Sequence, residues 1–453
     1  MAKTLKRIVH EGNVLSLSGN IIVSLLGLVG FGLLARTFPL TIFGEWVIFI
    51  TAASFIRMLR SGIMNIALIR YLSGADPEER PGLIGSSVII ASLATLMICG
   101  ILVGIEYSFS ESIHNSGYNL FFKWYPLLAL INLPMITSAA IMQADQRFGK
   151  EAIIKSFEGV VFFVVIVMNF FFLKLKLDQL VVAFLIVNAM NSVMCIYMRW
   201  DGFKYITRAN LQTTKKLLNF SKYSSLTLIG TNLLRSADTF IISFSPLGTA
   251  AVALYSIPMK LVELQQLPLR SFTATAFPKL SKASIRNNLK ELKELFYTYS
   301  GAMTYLFLAI SLVTFVFADL FVLILGGKQF MGNDPVTGFN AARISRVFTL
   351  YGIFLPIDRM TGIGLDSINK PNINFIKVLI MAIANVLGDL IAVFLFKSLT
   401  LVAVGSVFFI VIGFWVGYYY LDKELSLNFK HIFTRGIDFY KNLYGNLRKG
   451  AFN

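Results

Sequence analysis

Charged residues make up only 14% of the 453-residue chain, against about 25% in soluble domains. The shortage is sharpest for acids, with 24 Asp and Glu against 41 Lys and Arg. Cysteine is nearly missing: Cys99 and Cys195 both lie inside apolar runs, which excludes a disulfide framework and leaves two small buried hydrophobes. His10, His114 and His431 all fall outside those runs, so no metal site, proton-relay cluster or cofactor is expected. Long polar loops are lacking too. The longest outer segment runs from about Gly326 to Phe339, too short for a catalytic domain, so an enzyme is not expected. Within it, Gly326-Gly327-Lys328-Gln329 lacks the earlier glycine and the following Ser or Thr of a phosphate loop. The net charge of +17 has no Lys/Arg-rich domain to form a groove, which argues against nucleic acid as a partner.

What is abundant is apolar sequence. The chain is 56% hydrophobic with a mean hydropathy of +0.70, and its apolar runs have the length that crosses a roughly 30 Å hydrocarbon core. They predict an all-α polytopic membrane protein of about twelve transmembrane helices, at 14–38, 43–72, 82–106, 119–144, 151–173, 177–199, 219–245, 249–277, 296–325, 340–366, 371–396 and 398–421. The first run is longer than a signal-peptide core and has no small-residue cleavage site behind it, so it is expected to stay as a helix. Lys and Arg concentrate on the side of the N terminus, with Lys370 and Lys377 counted there. The opposite loops hold only Arg36, Lys123, Lys174, Lys176, Lys328, Arg343 and Lys397. Both termini are therefore expected to be cytoplasmic.

The chain also repeats itself. Pro39-Leu40-Thr41 to Tyr71-Leu72-Ser73 matches Pro246-Leu247-Gly248 to Lys279-Leu280-Ser281 in landmarks and separation. Two six-helix bundles follow, a parallel repeat with a substrate site expected between the halves. The expected division is 1–200 for the N-terminal bundle, 201–218 for a basic cytoplasmic linker, 219–425 for the C-terminal bundle and 426–453 for a basic cytoplasmic tail.

Ionisable residues inside spans are costly and mark functional candidates. The bases are Arg57 and Arg60 in span 2, Arg235 in span 7, Lys260 and Arg270 in span 8, and Arg346 and Arg359 in span 10; the deeper acids are Asp238, Glu263, Asp358 and Asp389. Bases exceed acids, which implies an anionic substrate. Lys260, Glu263, Gln266 and Arg270 fall within an arc of about 120°, a polar stripe about 15 Å long. Arg57 and Arg60 share a face in the repeat-equivalent span, without an acid in that span. A guanidinium fork holds phosphate bidentately, so a pyrophosphate headgroup fits these residues. Structural alternatives stand beside this: Arg235 with Asp238 and Lys260 with Glu263 have the spacing of local ion pairs, Asp358 with Arg359 is open, and Arg346 has the position of a snorkelling residue. A cation-drug exporter would want a buried carboxylate in the N-terminal half, and spans 1 to 4 have none in their interiors.

The stretch Ala35-Arg36-Thr37-Phe38-Pro39-Leu40-Thr41-Ile42-Phe43-Gly44-Glu45-Trp46, together with Arg235-Ser236-Ala237-Asp238, Tyr255 and Phe277-Pro278-Lys279-Leu280-Ser281, resembles the signature of polysaccharide exporters in the MOP superfamily. The resemblance implies a MATE-like fold and a Wzx-type flippase in the bacterial cytoplasmic (inner) membrane. Such a protein moves undecaprenyl-pyrophosphate-linked oligosaccharide to the outer leaflet for O-antigen, capsule or exopolysaccharide assembly by rocking two bundles. It assigns Arg57, Arg60, Lys260 and Arg270 to the headgroup, with Gln266 and Arg359 as further cavity residues. Asp238, Arg235, Glu263 and Asp389 are candidates for ion coupling or structural pairing. The partners implied are the lipid-linked oligosaccharide, membrane lipids, and a polysaccharide polymerase with chain-length machinery. The competing readings are an ion-coupled multidrug exporter of the same superfamily and a membrane glycosyltransferase or polymerase; the latter would need a large catalytic loop or an Asp-x-Asp site, and neither is visible.

Overall fold

The computed structural model describes residues 12–448 apart from 73, 146 and 335–337; the side chains of 12–22, 63, 65, 66, 222–231, 233–235, 274 and 446–448 lie outside the description. The described chain is all-helical and divides into two compact units, Met1–Ser236 and Ala237–Asn453. The division falls within the helix Leu211–Ser243, beyond the expected linker at 201–218.

The first unit is built from α1 (Gly12–Thr37), α2 (Leu40–Leu72), α3 (Arg80–Ser108), α4 (Asn119–Ile131), α5 (Leu133–Ala144), α6 (Phe148–Met168), α7 (Leu177–Tyr197) and most of α8 (Leu211–Ser243). Helices α4 and α5 form a pair bent by 50°. The bend has a local cause: Pro126 interrupts α4, and Pro134 opens α5 without an amide to donate. Met64, Leu68, Leu72, Leu83, Val88, Ala140 and Ile141 fill the core at one end of the unit. The first part of the segment read as a basic linker packs against that core through Phe203 and Tyr205, with Trp200 just before it. Its 3-10 turn, Phe203–Arg208, lies so close to α3 that a Cβ on Gly85 would stand 2.0 Å from the Tyr205 carbonyl oxygen, and Asn210 N donates to Ser86 Oγ at 3.3 Å.

The second unit continues with α9 (Gly248–Ile285), α10 (Leu289–Val316), α11 (Ala318–Gly326), α12 (Ala341–Ser367), α13 (Pro371–Leu390), α14 (Leu399–Leu425) and α15 (Phe429–Arg448). Pro258, Pro268 and Pro278 all lie inside α9. The segment expected as a basic tail is in large part the amphipathic helix α15, packed along α10. Contact is close because both sides are glycine: a Cβ on Gly301 would meet Ile432 O at 2.0 Å and Gly436 N at 2.7 Å. Tyr440 Oη donates to Ala302 O at 2.9 Å, and Arg435 pairs with Glu294 at 2.7 Å.

The repeat is legible in backbone detail. Helices α6 and α13 each run on into a five-residue π turn, Asn169–Leu173 and Ile391–Leu395. A lysine in the left-handed region follows each, Lys174 and Lys397, both at φ 48°. Left-handed residues also follow α7 and α14, namely Arg199 at 55° and Ser426 at 49°.

Among the described residues, seven helices are long and apolar enough to cross a membrane: α2, α3, α6 with its π turn, α7, α10, α13 with its π turn, and α14. The bent α4–α5 pair makes an eighth if it is one span. Of the four other expected spans, α1 is apolar but its described side chains cover only Val23–Thr37; for the other three the reason is compositional. Helices α8, α9 and α12 have 33, 38 and 27 residues, but they are the ones that carry most of the internal charge, which lowers their hydropathy. Leu93, Met97, Phe172 and Leu312 stand exposed on the apolar helices, as a hydrocarbon-facing surface requires.

Candidate functional site

Arg57 and Arg60 are three residues apart on α2, yet their surroundings differ. The Arg57 side chain is 40% exposed and faces Glu158 of α6, with Nη1 to Oε1 at 3.7 Å; the acid missing from its own span comes from a neighbouring helix. Arg60 is 4% exposed. Its Nε donates to Thr95 Oγ1 at 3.1 Å, Nη1 to Asn132 Oδ1 at 3.0 Å and Nη2 to Ala129 O at 2.8 Å. These acceptors are neutral, and two belong to the α4–α5 break. Arg60 thereby satisfies a carbonyl in the last turn of α4, where intrahelical donors run out. Its position is that of a clamp on the bend.

In the second unit, Lys260 Nζ and Glu263 Oε2 lie 2.7 Å apart on α9, both about one-third exposed. Gln266 is half-buried one turn further on. Arg270 is exposed, and no carboxylate pairs with it among the described residues. On α12, Arg359 is exposed whereas its neighbour Asp358 is buried. The partner of Asp358 is Lys377 of α13: Nζ reaches Oδ1 at 2.8 Å and the Asp358 carbonyl oxygen at 2.9 Å, with both side chains 3% exposed. Lys377, counted in the sequence as a loop charge, is thus an interior residue. Gly413 and Gly417 of α14 leave room for the pair; a Cβ on Gly413 would stand 2.6 Å from Asp358 Oδ1. Arg346 bonds with Asp319 at the start of α11 and also donates to Phe315 O at 3.3 Å.

A second buried cluster contains two carboxylates. Asp238 accepts from Tyr255 Oη at 2.6 Å, Asn385 Nδ2 at 2.9 Å and Ser406 Oγ at 3.2 Å. Asn385 Nδ2 also reaches Asp389 Oδ2 at 3.2 Å. Asp389 is fully buried, and its Oδ1, like Asn385 Oδ1, has no hydrogen-bond partner among the described residues. The side chain of Arg235, the expected partner of Asp238, lies outside the described residues. The cluster offers oxygen donors from α8, α9, α13 and α14, a set suited to a proton or a hard cation. Asn385 and Ser406 escaped the sequence reading, although the i, i+4 spacing of Asn385 and Asp389 is a usable signal.

With this geometry in place, comparison with known proteins adds three findings. The profile of a family described as "Polysaccharide biosynthesis protein" matches residues 9–284. No curated protein matches the sequence. Among solved structures, the chain is similar to an inward-facing multidrug resistance MATE family transporter of the MOP superfamily, with a TM-score of 0.73 and 14% identity over 90% of this chain and 98% of that one. It is also similar to the lipid II flippase MurJ in an inward closed conformation, with a TM-score of 0.70 and 16% identity over 97% and 94%. A MOP superfamily transporter from Pyrococcus furiosus, described as having a binding pocket of reverse polarity, gives 0.62 and 15% identity over 91% and 94%. At these identities the likeness is one of fold.

Proposed function

The chain belongs to the polysaccharide biosynthesis protein family, and from that premise we propose that it is a flippase for an anionic, undecaprenyl-pyrophosphate-linked oligosaccharide. In this reading twelve helices span a bacterial inner membrane with both termini cytoplasmic. The units move between inward- and outward-open states, and the glycolipid reaches the outer leaflet for assembly of O-antigen, capsule or exopolysaccharide. Delivery to a polymerase and its chain-length machinery follows.

The observation that carries the proposal is the exposure of Arg57, Arg270 and Arg359 partway along helices of bilayer length. An exposed guanidinium at such depth needs water or an anion, because hydrocarbon offers it neither hydration nor hydrogen bonds. A pyrophosphate supplies both charge and acceptors, while the prenyl tail stays in lipid. Arg57, Arg270, Arg359 and Lys260, with Gln266 as a neutral donor, are the headgroup-binding residues. Arg60 acts indirectly, by holding the α4–α5 bend. The Asp238–Asn385–Asp389 cluster, with Ser406, takes up the coupling proton or cation, and Glu263 holds Lys260 in an ion pair. No covalent bond is broken, so chemistry is limited to binding and release.

The test uses cells that lack the protein and accumulate labelled prenyl-pyrophosphate-linked glycan. Restoration of outer-leaflet glycan by the wild type, but not by Arg57→Ala or Arg270→Ala at equal membrane levels, supports the reading. Normal surface glycan in the deletion strain, with no second flippase compensating, overturns it, and efflux of cationic drugs becomes the activity to measure.

A further inference from the structure

The loops expected to face outward are poor in basic residues, yet four of the few they hold line one cavity. Arg36, Lys123, Lys174 and Lys176 come together around about 870 Å3 of space, wholly within the first unit. The volume lies within the roughly 300–1,000 Å3 of small-molecule sites. Its walls are the end of α1, the start of α2, the first turn of α4, the π turn after α6 and the start of α7.

Part of this charge is already balanced. Lys123 Nζ and Trp124 Nε1 both donate to Asp178 Oδ1, at 2.8 and 3.0 Å. Lys174 and Lys176 stand exposed. The turn that presents them is pinned by Asn169, whose Oδ1 accepts from Leu175 N at 2.6 Å and whose carbonyl accepts from Lys174 N at 3.3 Å. Asn169 is 1% exposed and lines the cavity, and among the described residues its Nδ2 has no acceptor. A buried amide donor left unpaired is a standing cost that a ligand oxygen removes. The fold does not demand this amide: the second unit makes its π turn with Ile391 in the first position.

We propose that this cavity binds an acidic saccharide. Lys174 and Lys176 pair with the carboxylate of a uronic-acid residue, and Asn169 Nδ2 donates to a ligand oxygen. The carboxylates of Glu45 and Asp178 accept from ring hydroxyls, and Phe38 and Phe170 supply apolar surface for a sugar face. A simple phosphate site has no use for the two lining carboxylates, whereas a polyhydroxylated anion uses donors and acceptors together. The inference rests on the reading of the protein as a carrier of anionic glycan, and assigns this cavity to the sugar rather than the pyrophosphate.

The experiment is calorimetric titration of the full chain in phosphatidylcholine nanodiscs with a glucuronate-containing tetrasaccharide, a neutral tetrasaccharide and glycerol phosphate. The acidic saccharide is expected to bind at least about tenfold more tightly than either of the others. A loss of at least about tenfold is expected in Lys174→Gln with Lys176→Gln, and in Asn169→Asp, which keeps the acceptor for Leu175 N but replaces the donor with a negative charge. Equal binding of neutral and acidic saccharides, no binding, or indifference to these substitutions overturns the proposal. Glycerol phosphate binding as tightly as the saccharide also overturns it, in favour of a lipid phosphate. Binding is read without transport, so intact saccharide binding in a protein that fails to flip glycolipid sinks the flippase reading alone. Flipping without saccharide binding sinks this one alone.

Discussion

Away from helix ends, the two compact units bury charge in opposite ways; the first also buries Glu151 and Asp201, but in the first turn of α6 and just after α7. In the first, one guanidinium sits among three neutral acceptors and holds a broken helix. In the second, carboxylates are buried: Asp358 is matched by Lys377, whereas Asp238 and Asp389 share one amide and Asp238 alone accepts from two hydroxyls. Related topologies therefore do not impose one electrostatic solution. A matched pair and a neutral cage leave little for a further ion, while two carboxylates around a single amide leave oxygens able to take a proton or cation. In the proposed function, that contrast separates residues that fix the scaffold from residues that couple it to an ion.

The contrast can be tested most severely at Asp358. Removing one partner of a buried pair costs about 3–5 kcal/mol, so Lys377→Met should lower thermal stability sharply, and Asp358→Asn combined with Lys377→Met should regain most of it. A double variant no more stable than the single would falsify the matched-pair account. Next comes Arg60→Ala, which strands buried acceptors at about 1–3 kcal/mol each. Stability should fall and pyrophosphate-glycolipid affinity should change less than in Arg57→Ala; an unchanged melting temperature with lost affinity would return Arg60 to the headgroup site. Asp389→Asn should leave stability within about 1 kcal/mol, since the amide has the carboxyl's shape and puts no second negative charge beside Asp238. It should abolish the dependence of flipping on a sodium or proton gradient, and persistence of that dependence in proteoliposomes removes the cluster from coupling. The smallest stability effect is expected for Arg57→Gln, within about 1 kcal/mol because its ion pair with Glu158 is long and partly exposed. Transport in this variant should fall at least about tenfold, and wild-type transport would relieve Arg57 of its role.

Much of the architecture was legible in the chain. Apolar runs located the long helices, and the spacing of proline landmarks announced a repeat that reappears in paired π turns and left-handed lysines. The three polar helices were placed by the same runs, although their charges keep them below the apolarity of the other spans. The candidate site was less legible. Helical spacing put Arg57 and Arg60 on one face, but a face is only a direction, and one residue meets Glu158 while the other enters a cage of neutral acceptors. Lys377 read as a loop charge because its partner is 19 positions away on another helix.

The sequence by itself determined the solvent of this protein, its helical class, its repeat and its excess of internal base. Each of these depends on composition or on periodicity along one chain. Only the tertiary structure decided which charges are spent on holding the scaffold and which stay exposed. It also gathered basic residues from scattered loops around a single cavity. The physical reason is that the cost of a charge inside a membrane protein depends on what lies within a few ångströms of it, and those neighbours come from other helices.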